Sequence, residues 1–314
     1  MLIASCEQGS VTEYGPSEER RLELEQAATS RAQVLVDSEW LVAYGSYPGV
    51  HILELGRTQY EFAQSHIPGA KFVDWMTEIS DQTQADRYNL PPVEEFEDLM
   101  ERLGITTDST VVLYDAVDNR ASARMFWTLK YYNHDSIKIL DGGLEAWKRS
   151  GRELTDEFIE VVQSDYEVET VRGSILTDMH YLLGILSDQR HHAVVDGRPF
   201  DQYTGDAEGR VFNTQVAHSR VGHIYGAQSV PWADNLNEDG TFKSNEELLD
   251  IYHAHKIFRH KTVVTYCNEG LHAAMPWFVL SEVLAYPDVR LYDDSLAEWG
   301  NLPDTPMITG QHCM

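Results

Sequence analysis

The sequence predicts an α/β protein made of two tandem domains, each a mostly parallel sheet flanked by helices. Two observations carry that prediction: the chain contains two copies of one plan, and in each copy short β-branched runs alternate with segments of helical spacing. His66-Ile67-Pro68-Gly69-Ala70, followed by Val73 and Trp75, returns as His223-Ile224-Tyr225-Gly226-Ala227, followed by Val230 and Trp232, each shared position displaced by 157. Val111-Val112-Leu113-Tyr114-Asp115 returns as Val263-Val264-Thr265-Tyr266-Cys267, displaced by 152, and Asp141, Leu144 and Trp147 return as Asp293, Leu296 and Trp299 at the same spacing. Gly56-Arg57 matches Gly197-Arg198 at 141, so the second copy carries extra residues around Gly205 to Arg220. A period this long makes each copy a whole domain, not a solenoid unit.

The first strands are expected at Val34-Leu35-Val36, Ile52–Leu55, Val111–Leu113 and Ile137–Leu140. Pro91-Pro92 opens a helix whose apolar residues Val93, Phe96, Leu99 and Leu103 recur at helical spacing, and Gly104 stops it. The second copy has the same helix, begun by a capping box from Ser244 to Glu247 and continued through Leu248, Leu249, Ile251 and Tyr252. Apolar strands interleaved with helices imply a sheet covered on both faces. The boundaries that follow are a polar leader at 1–30, in which Pro16-Ser17-Glu18-Glu19 starts a short helix, a first domain at 31–152, an acidic strap at 153–174, a second domain at 175–306 and a tail at 307–314.

Charge narrows the function. The 314 residues include 24 basic and 51 acidic side chains, a net charge of −27. Such a surface repels phosphate backbones and anionic lipid, so no nucleic-acid partner is expected. No stretch reaches the roughly 18 apolar residues of a membrane span. The expected compartment is the cytoplasm. Leu2-Ile3-Ala4-Ser5-Cys6 resembles the cleavage end of a lipoprotein signal. A true start upstream of Met1 would make the chain periplasmic or lipid-anchored. Cys6, Cys267 and Cys313 are too few for a disulfide framework and match no zinc spacing. The 13 histidines include His191-His192, and His253 and His255 two apart on one helix, where they face different ways. No metal site is expected.

Cys267 directly follows the predicted strand Val263–Tyr266, at the carboxyl end where open α/β sheets bind ligands. Asn268-Glu269-Gly270-Leu271-His272 is a short loop, and Ala273 to Leu280 reads as a helix. Backbone N–H groups of such a loop, with the helix N-terminus, favour thiolate over thiol. Position alone leaves an inert core cysteine equally open. Asp115 holds the matching place in the first copy and cannot attack sulfur, so that domain is expected to be structural.

Over roughly residues 34–306 the chain resembles a tandem-domain rhodanese, a thiosulfate or 3-mercaptopyruvate sulfurtransferase. The resemblance rests on His66–Ala70, Asp141-Gly142-Gly143-Leu144-Glu145-Ala146-Trp147, Val195–Arg198 and Gly222–Ala227. It implies a double displacement in which Cys267 takes a sulfane sulfur from a small anionic donor as a persulfide, then yields it to cyanide or a thiol. It implies no metal or organic cofactor. Asn268, Glu269, Gly270, Leu271 and His272 would form the anion cradle. Arg198 would bind the donor, with a structural ion pair to a nearby Asp as its other reading. His272 would serve as cationic partner or proton carrier, or merely rim the pocket. The active cleft is expected between the domains. Thiosulfate-preferring members usually have basic residues where this chain has Asn268-Glu269, and mercaptopyruvate-preferring members usually read Cys-Gly-Ser-Gly, so neither donor pattern fits. Two rivals stay open: a persulfide carrier that docks on a protein acceptor, and a phosphatase or arsenate reductase of related fold. The latter needs arginine six positions after the cysteine, where Ala273 stands.

Overall fold

The computed structural model describes residues 17–83, 88–116, 118–211 and 215–310. The first domain runs α1 (Glu18–Val34), β1 (Leu35–Val36), α2 (Ser38–Tyr44), β2 (Val50–Leu55), α3 (Gln59–Gln64), β3 (Ala70–Phe72), α4 (Val93–Arg102), β4 (Thr110–Asp115), α5 (Arg120–Tyr131), β5 (Ile137–Leu140) and α6 (Gly143–Arg149). The second runs β6 (Leu176–Thr177), α7 (Met179–Ile185), β7 (His192–Asp196), α8 (Phe200–Thr204), β8 (Arg210–Val211), β9 (Gln215–Val216), β10 (His223–Ile224), β11 (Gln228–Ser229), α9 (Asn245–Ala254), β12 (Thr262–Tyr266), α10 (Ala274–Phe278), β13 (Val289–Tyr292), α11 (Ser295–Trp299) and β14 (Met307–Ile308).

Both sheets have five parallel strands in one order, β1-β5-β4-β2-β3 and β6-β13-β12-β7-β11. The duplication extends to register: Val111 pairs with Ile137 and Val263 with Val289, both partners displaced by the same spacing. The central strands are buried on both faces, as helices on either side of a parallel sheet require. The extra residues of the second copy form the β8–β9 hairpin. The segment between the domains holds to the first one, where His66 and Thr155 exchange backbone hydrogen bonds of 2.8 and 2.9 Å.

One apolar core joins the domains. It takes in Val111, Leu113 and Phe126 from the first and Val263, Phe278 and Leu291 from the second. Helix α5 packs on α10, with Phe126 and Phe278 edge to face at 4.9 Å between ring centroids. Burying several aromatic rings here stabilises the interface by roughly 1.5–3 kcal/mol per side chain.

Three expectations are corrected. The leader holds a 17-residue helix, not a short one, and Val34 ends it instead of opening a strand. Its polar sequence hides the packing: Ala27 is fully buried, Ser30 Oγ donates to Glu282 O at 2.5 Å, and Arg31 reaches Lys243 O and Asp141. Helix α1 therefore bridges the two domains. The residues expected as tail include β14, which pairs antiparallel with β10. The helix after the cysteine loop is interrupted, since α10 passes into a π turn at Val279–Val283. Cys6, Cys313, Pro16 and the Leu2–Cys6 segment lie outside the described residues. Among the described residues no helix is long and apolar enough to cross a membrane.

Candidate active site

Strand β12 delivers Cys267 at its carboxyl end, 1% exposed and reduced. The loop turns back at once, so that the N–H groups of Glu269 and Gly270 point at Sγ from 3.4 and 3.1 Å. A second loop anchors the cysteine backbone: Cys267 N donates to Ser295 Oγ at 3.1 Å, and that hydroxyl donates to Tyr292 O at 2.8 Å. Leu296 N and Ala297 N donate to the carbonyls of Cys267 and Asn268. Ser295 sits at φ 49°, a left-handed conformation costly for a side chain with Cβ. Its counterpart in the first copy is Gly143, at φ 54°. The hydroxyl thus keeps a strained conformation that serves the cysteine. Sequence reasoning passed over Ser295, although it lies between the repeat anchors Asp293 and Leu296.

Gly270 is required where it stands. At φ 95° a Cβ would lie 2.3 Å from Asp293 Oδ1 and 2.9 Å from Arg124 Nη1. Those two atoms belong to a buried ion pair across the domain interface. Arg124 Nη1 and Nη2 donate to the Asp293 carboxylate at 2.5 and 3.3 Å, Nη2 also donates to Tyr88 O at 2.8 Å, and Leu90 N adds a hydrogen bond to Asp293 at 2.9 Å. The first domain therefore buttresses the loop of the second.

Of the loop expected as an anion cradle, two backbone amides face the sulfur, while the side chains are engaged elsewhere. Burial pushes the Cys267 thiol above its ordinary range and outweighs the amides of Glu269, Ala273 and Gly270, while the Glu269 carboxylate pushes the same way as burial. The thiol is thus harder to ionise than the loop geometry alone predicts. Asn268 turns away from sulfur, its Nδ2 donating to Gln202 Oε1 at 2.9 Å and to Arg210 O at 3.3 Å, which ties the β8–β9 hairpin to the loop. Glu269 is 5% exposed, and Leu271 sits in the apolar core.

Arg198 does not offer an open fork. It is fully buried, Nε and Nη2 gripping Asp196 at 2.5–3.1 Å and Nη2 also reaching Gly222 O at 2.8 Å. Tyr266 donates to the same carboxylate at 2.6 Å. The structural ion pair is the reading that fits, with only the inaccessible Nη1 lacking a partner among the described residues. Nor is His272 a cation. Burial, then Arg120 and Arg198, drive its pKa down to about 3. Its Nε2 lies 2.7 Å from Arg120 Nη1. A guanidinium has no lone pair to give, so the neutral imidazole must accept.

Arg120 is a second residue the sequence reading missed. It comes from the first domain, yet it stands over Trp232 of the second, 4.4 Å from the ring centroid, and donates from Nε to Asp118 Oδ1 at 2.7 Å. A signal for it existed: Arg120 and His272 are 152 residues apart, the spacing of the duplication, so equivalent positions of the two copies meet. Phe126 and Phe278 meet in the same way. The pseudo-symmetry also relates Leu90 N on Asp293 to Phe242 N on Asp141. It breaks at two places. The counterpart of Arg124 is Pro276, so Asp141 takes Arg31 of α1 instead. In the first copy the nest is filled from within, Asp115 Oδ1 accepting from Asp118 N and Asn119 N at 3.0 and 2.9 Å. His66 and His223 hold their turns by hydrogen bonds to Phe62 O and Tyr203 O. Among the described residues no three His, Cys, Asp or Glu side chains group as a metal site.

The rhodanese-like domain family matches residues 40–150 and 178–302, one match in each half of the duplication. The chain belongs to that family. Among relatives of this rhodanese, the sulfur carrier protein TtuD of Thermus thermophilus is 36% identical over 283 residues, covering 89% of this chain and 98% of its own length. A protein of Saccharopolyspora erythraea provisionally named thiosulfate sulfurtransferase is 34% identical, covering 90% and 98%. Of solved structures, the 3-mercaptopyruvate sulfurtransferase SseA of Escherichia coli superposes with a TM-score of 0.71 at 28% identity, over 83% of this chain and 98% of that one. The chain is thus a two-domain rhodanese homologous to sulfurtransferases.

Proposed function

We propose that this rhodanese moves a sulfane sulfur from a small anionic donor to a thiol or cyanide through a persulfide on Cys267. The observation that carries the reading is the thiol at the end of β12 with two loop amides aimed at its sulfur. In the first half-reaction the Cys267 thiolate attacks the outer sulfur of the donor. With thiosulfate the S–S bond breaks and sulfite leaves with the electron pair. With 3-mercaptopyruvate the C–S bond breaks, and the carbanion equivalent takes up a proton to give pyruvate. In the second half-reaction an acceptor thiolate or cyanide attacks the terminal sulfur, and Cys267 leaves as thiolate. Negative charge sits on the Cys267 sulfurs throughout, where the amides of Glu269 and Gly270 stabilise it without reorganising. Ala273, buried and apolar, provides no arginine to clamp a phosphate, which disfavours the phosphatase reading.

A carrier reading has its own support. Cys267 is nearly sealed, and a relative of matching length is named a sulfur carrier protein. Steady-state turnover separates the two. With cyanide or a small thiol as acceptor, an enzyme saturates in donor, and Cys267→Ser abolishes the rate. A carrier loads once in a Cys267-dependent burst and stalls until a protein acceptor is added. Unchanged turnover in Cys267→Ser would reject both.

A further inference from the structure

We propose that Arg120, contributed by the catalytically silent first domain, binds the anionic end of the donor at the Cys267 loop. The inference deepens the sulfurtransferase reading and rests on it for the identity of the ligand.

The loop itself has no cation. Asn268, Glu269, Gly270, Leu271 and a neutral His272 follow the cysteine, and the Glu269 carboxylate repels an approaching anion. The arginines behind the loop are closed off. Arg198 is sealed on Asp196 and Arg124 on Asp293, both side chains with no exposure. Arg120 differs on each count. Its side chain keeps 29% exposure, and its hydrogen bonds to Asp118 and His272 run through Nε and Nη1, not Nη2.

Its remaining atoms are fixed. Asp118 holds Nε, the lone pair of His272 Nε2 holds Nη1, and the guanidinium plane lies over Trp232. A guanidinium immobilised on three sides loses little freedom on gripping a ligand, which favours binding. Its planar donors suit a carboxylate or a sulfonate. Because His272 belongs to the Cys267 loop, the side chain that would hold the anion is tied to the element that presents the sulfur. The site is assembled from both domains, so neither copy of the duplication has it alone.

Alkylation of Cys267 with iodoacetate and with iodoacetamide tests this without a sulfur donor, since the two reagents differ chiefly in charge. Rates are read at the Cys267 peptide by mass spectrometry in the intact chain. Arg120→Gln is expected to lower the iodoacetate-to-iodoacetamide ratio about tenfold or more, the worth of a charge-assisted hydrogen bond. Arg120→Lys, which keeps the charge and loses the planar fork, should keep part of the preference. In donor kinetics Arg120→Gln should raise KM and leave kcat nearly unchanged. An unchanged alkylation ratio in Arg120→Gln overturns the proposal. If the ratio falls as expected while no donor loads sulfur even on the wild-type chain, the anion site stands and the sulfurtransferase reading fails.

Discussion

Replacing Asp293 by Asn removes a charge that three groups share. The carboxylate is 3% exposed and accepts from Arg124 Nη1 and Nη2 and from Leu90 N. The amide keeps one acceptor oxygen and turns an N–H toward groups that are themselves donors. Arg124, with no exposure, is left without a counter-charge. Breaking a buried pair by removing one partner costs about 3–5 kcal/mol, and the surviving acceptor places this variant near the lower figure. Because one apolar core spans both domains, heating should give a single transition, lowered by roughly 4–8 °C. Calorimetry and urea unfolding of Asp293→Asn, Arg124→Met and the double variant make a cycle. The double variant should lose at least about 1 kcal/mol less than the sum of the singles, because it leaves no orphaned charge. A shift under about 1 kcal/mol for Asp293→Asn, or additivity within about 0.5 kcal/mol, would refute the claim that this pair holds the interface.

Gly270→Ala forces a Cβ against Asp293 Oδ1 at a left-handed φ, so stability should fall by about 1–3 kcal/mol. Persulfide formation should slow more than tenfold, and retention of the wild-type rate would show that the loop does not need that geometry. Iodoacetamide labelling of Cys267 should climb steadily from pH 6 to 9, about tenfold per pH unit while the buried thiol stays mostly protonated. Since His272 is pushed down to about 3, the profile should show no inflection near pH 6.5, and a plateau below pH 8 would contradict the account. His272 at about 3 and His51 at about 4 are neutral in the folded chain, so below about pH 6.5 the unfolded chain binds more protons. Their contribution to stability is therefore complete above that pH and is lost as pH falls toward 4. A melting temperature rising from pH 6.5 to pH 5 would oppose this.

The duplication was readable because its anchors are residues whose chemistry fixes backbone: the His-Ile-x-Gly-Ala turns, the Asp-to-Trp segments and the β-branched runs of β4 and β12. Strand order and register were not legible, because they depend on pairing between distant strands, but the capping box at Ser244 marked the start of α9, where Ser244 and Glu247 do bind reciprocally. Helix α1 was underestimated for a physical reason. Only Glu23, Ala27 and Val34 are buried along it, so it carries no wide apolar stripe, and it is held by hydrogen bonds to residues more than 100 positions away. The cysteine loop was legible as a strand-to-helix turn. Its side chains were less so, because burial and pairing decide them: Arg198 turns to Asp196, two residues before it, and Asn268 turns to the hairpin. Arg120 is silent in its local context. It becomes visible only when His272 is carried back across the repeat spacing.

The central claim is that Cys267 carries sulfur. Intact mass after exposure to thiosulfate, and separately to 3-mercaptopyruvate, tests it directly, with Cys267→Ser alongside. The account predicts a gain of one sulfur atom from one of the donors, located at the Cys267 peptide, lost on adding cyanide and absent from the variant. Folded protein with a titratable Cys267 thiol that gains no sulfur from either donor, or a gain that survives Cys267→Ser, would contradict it.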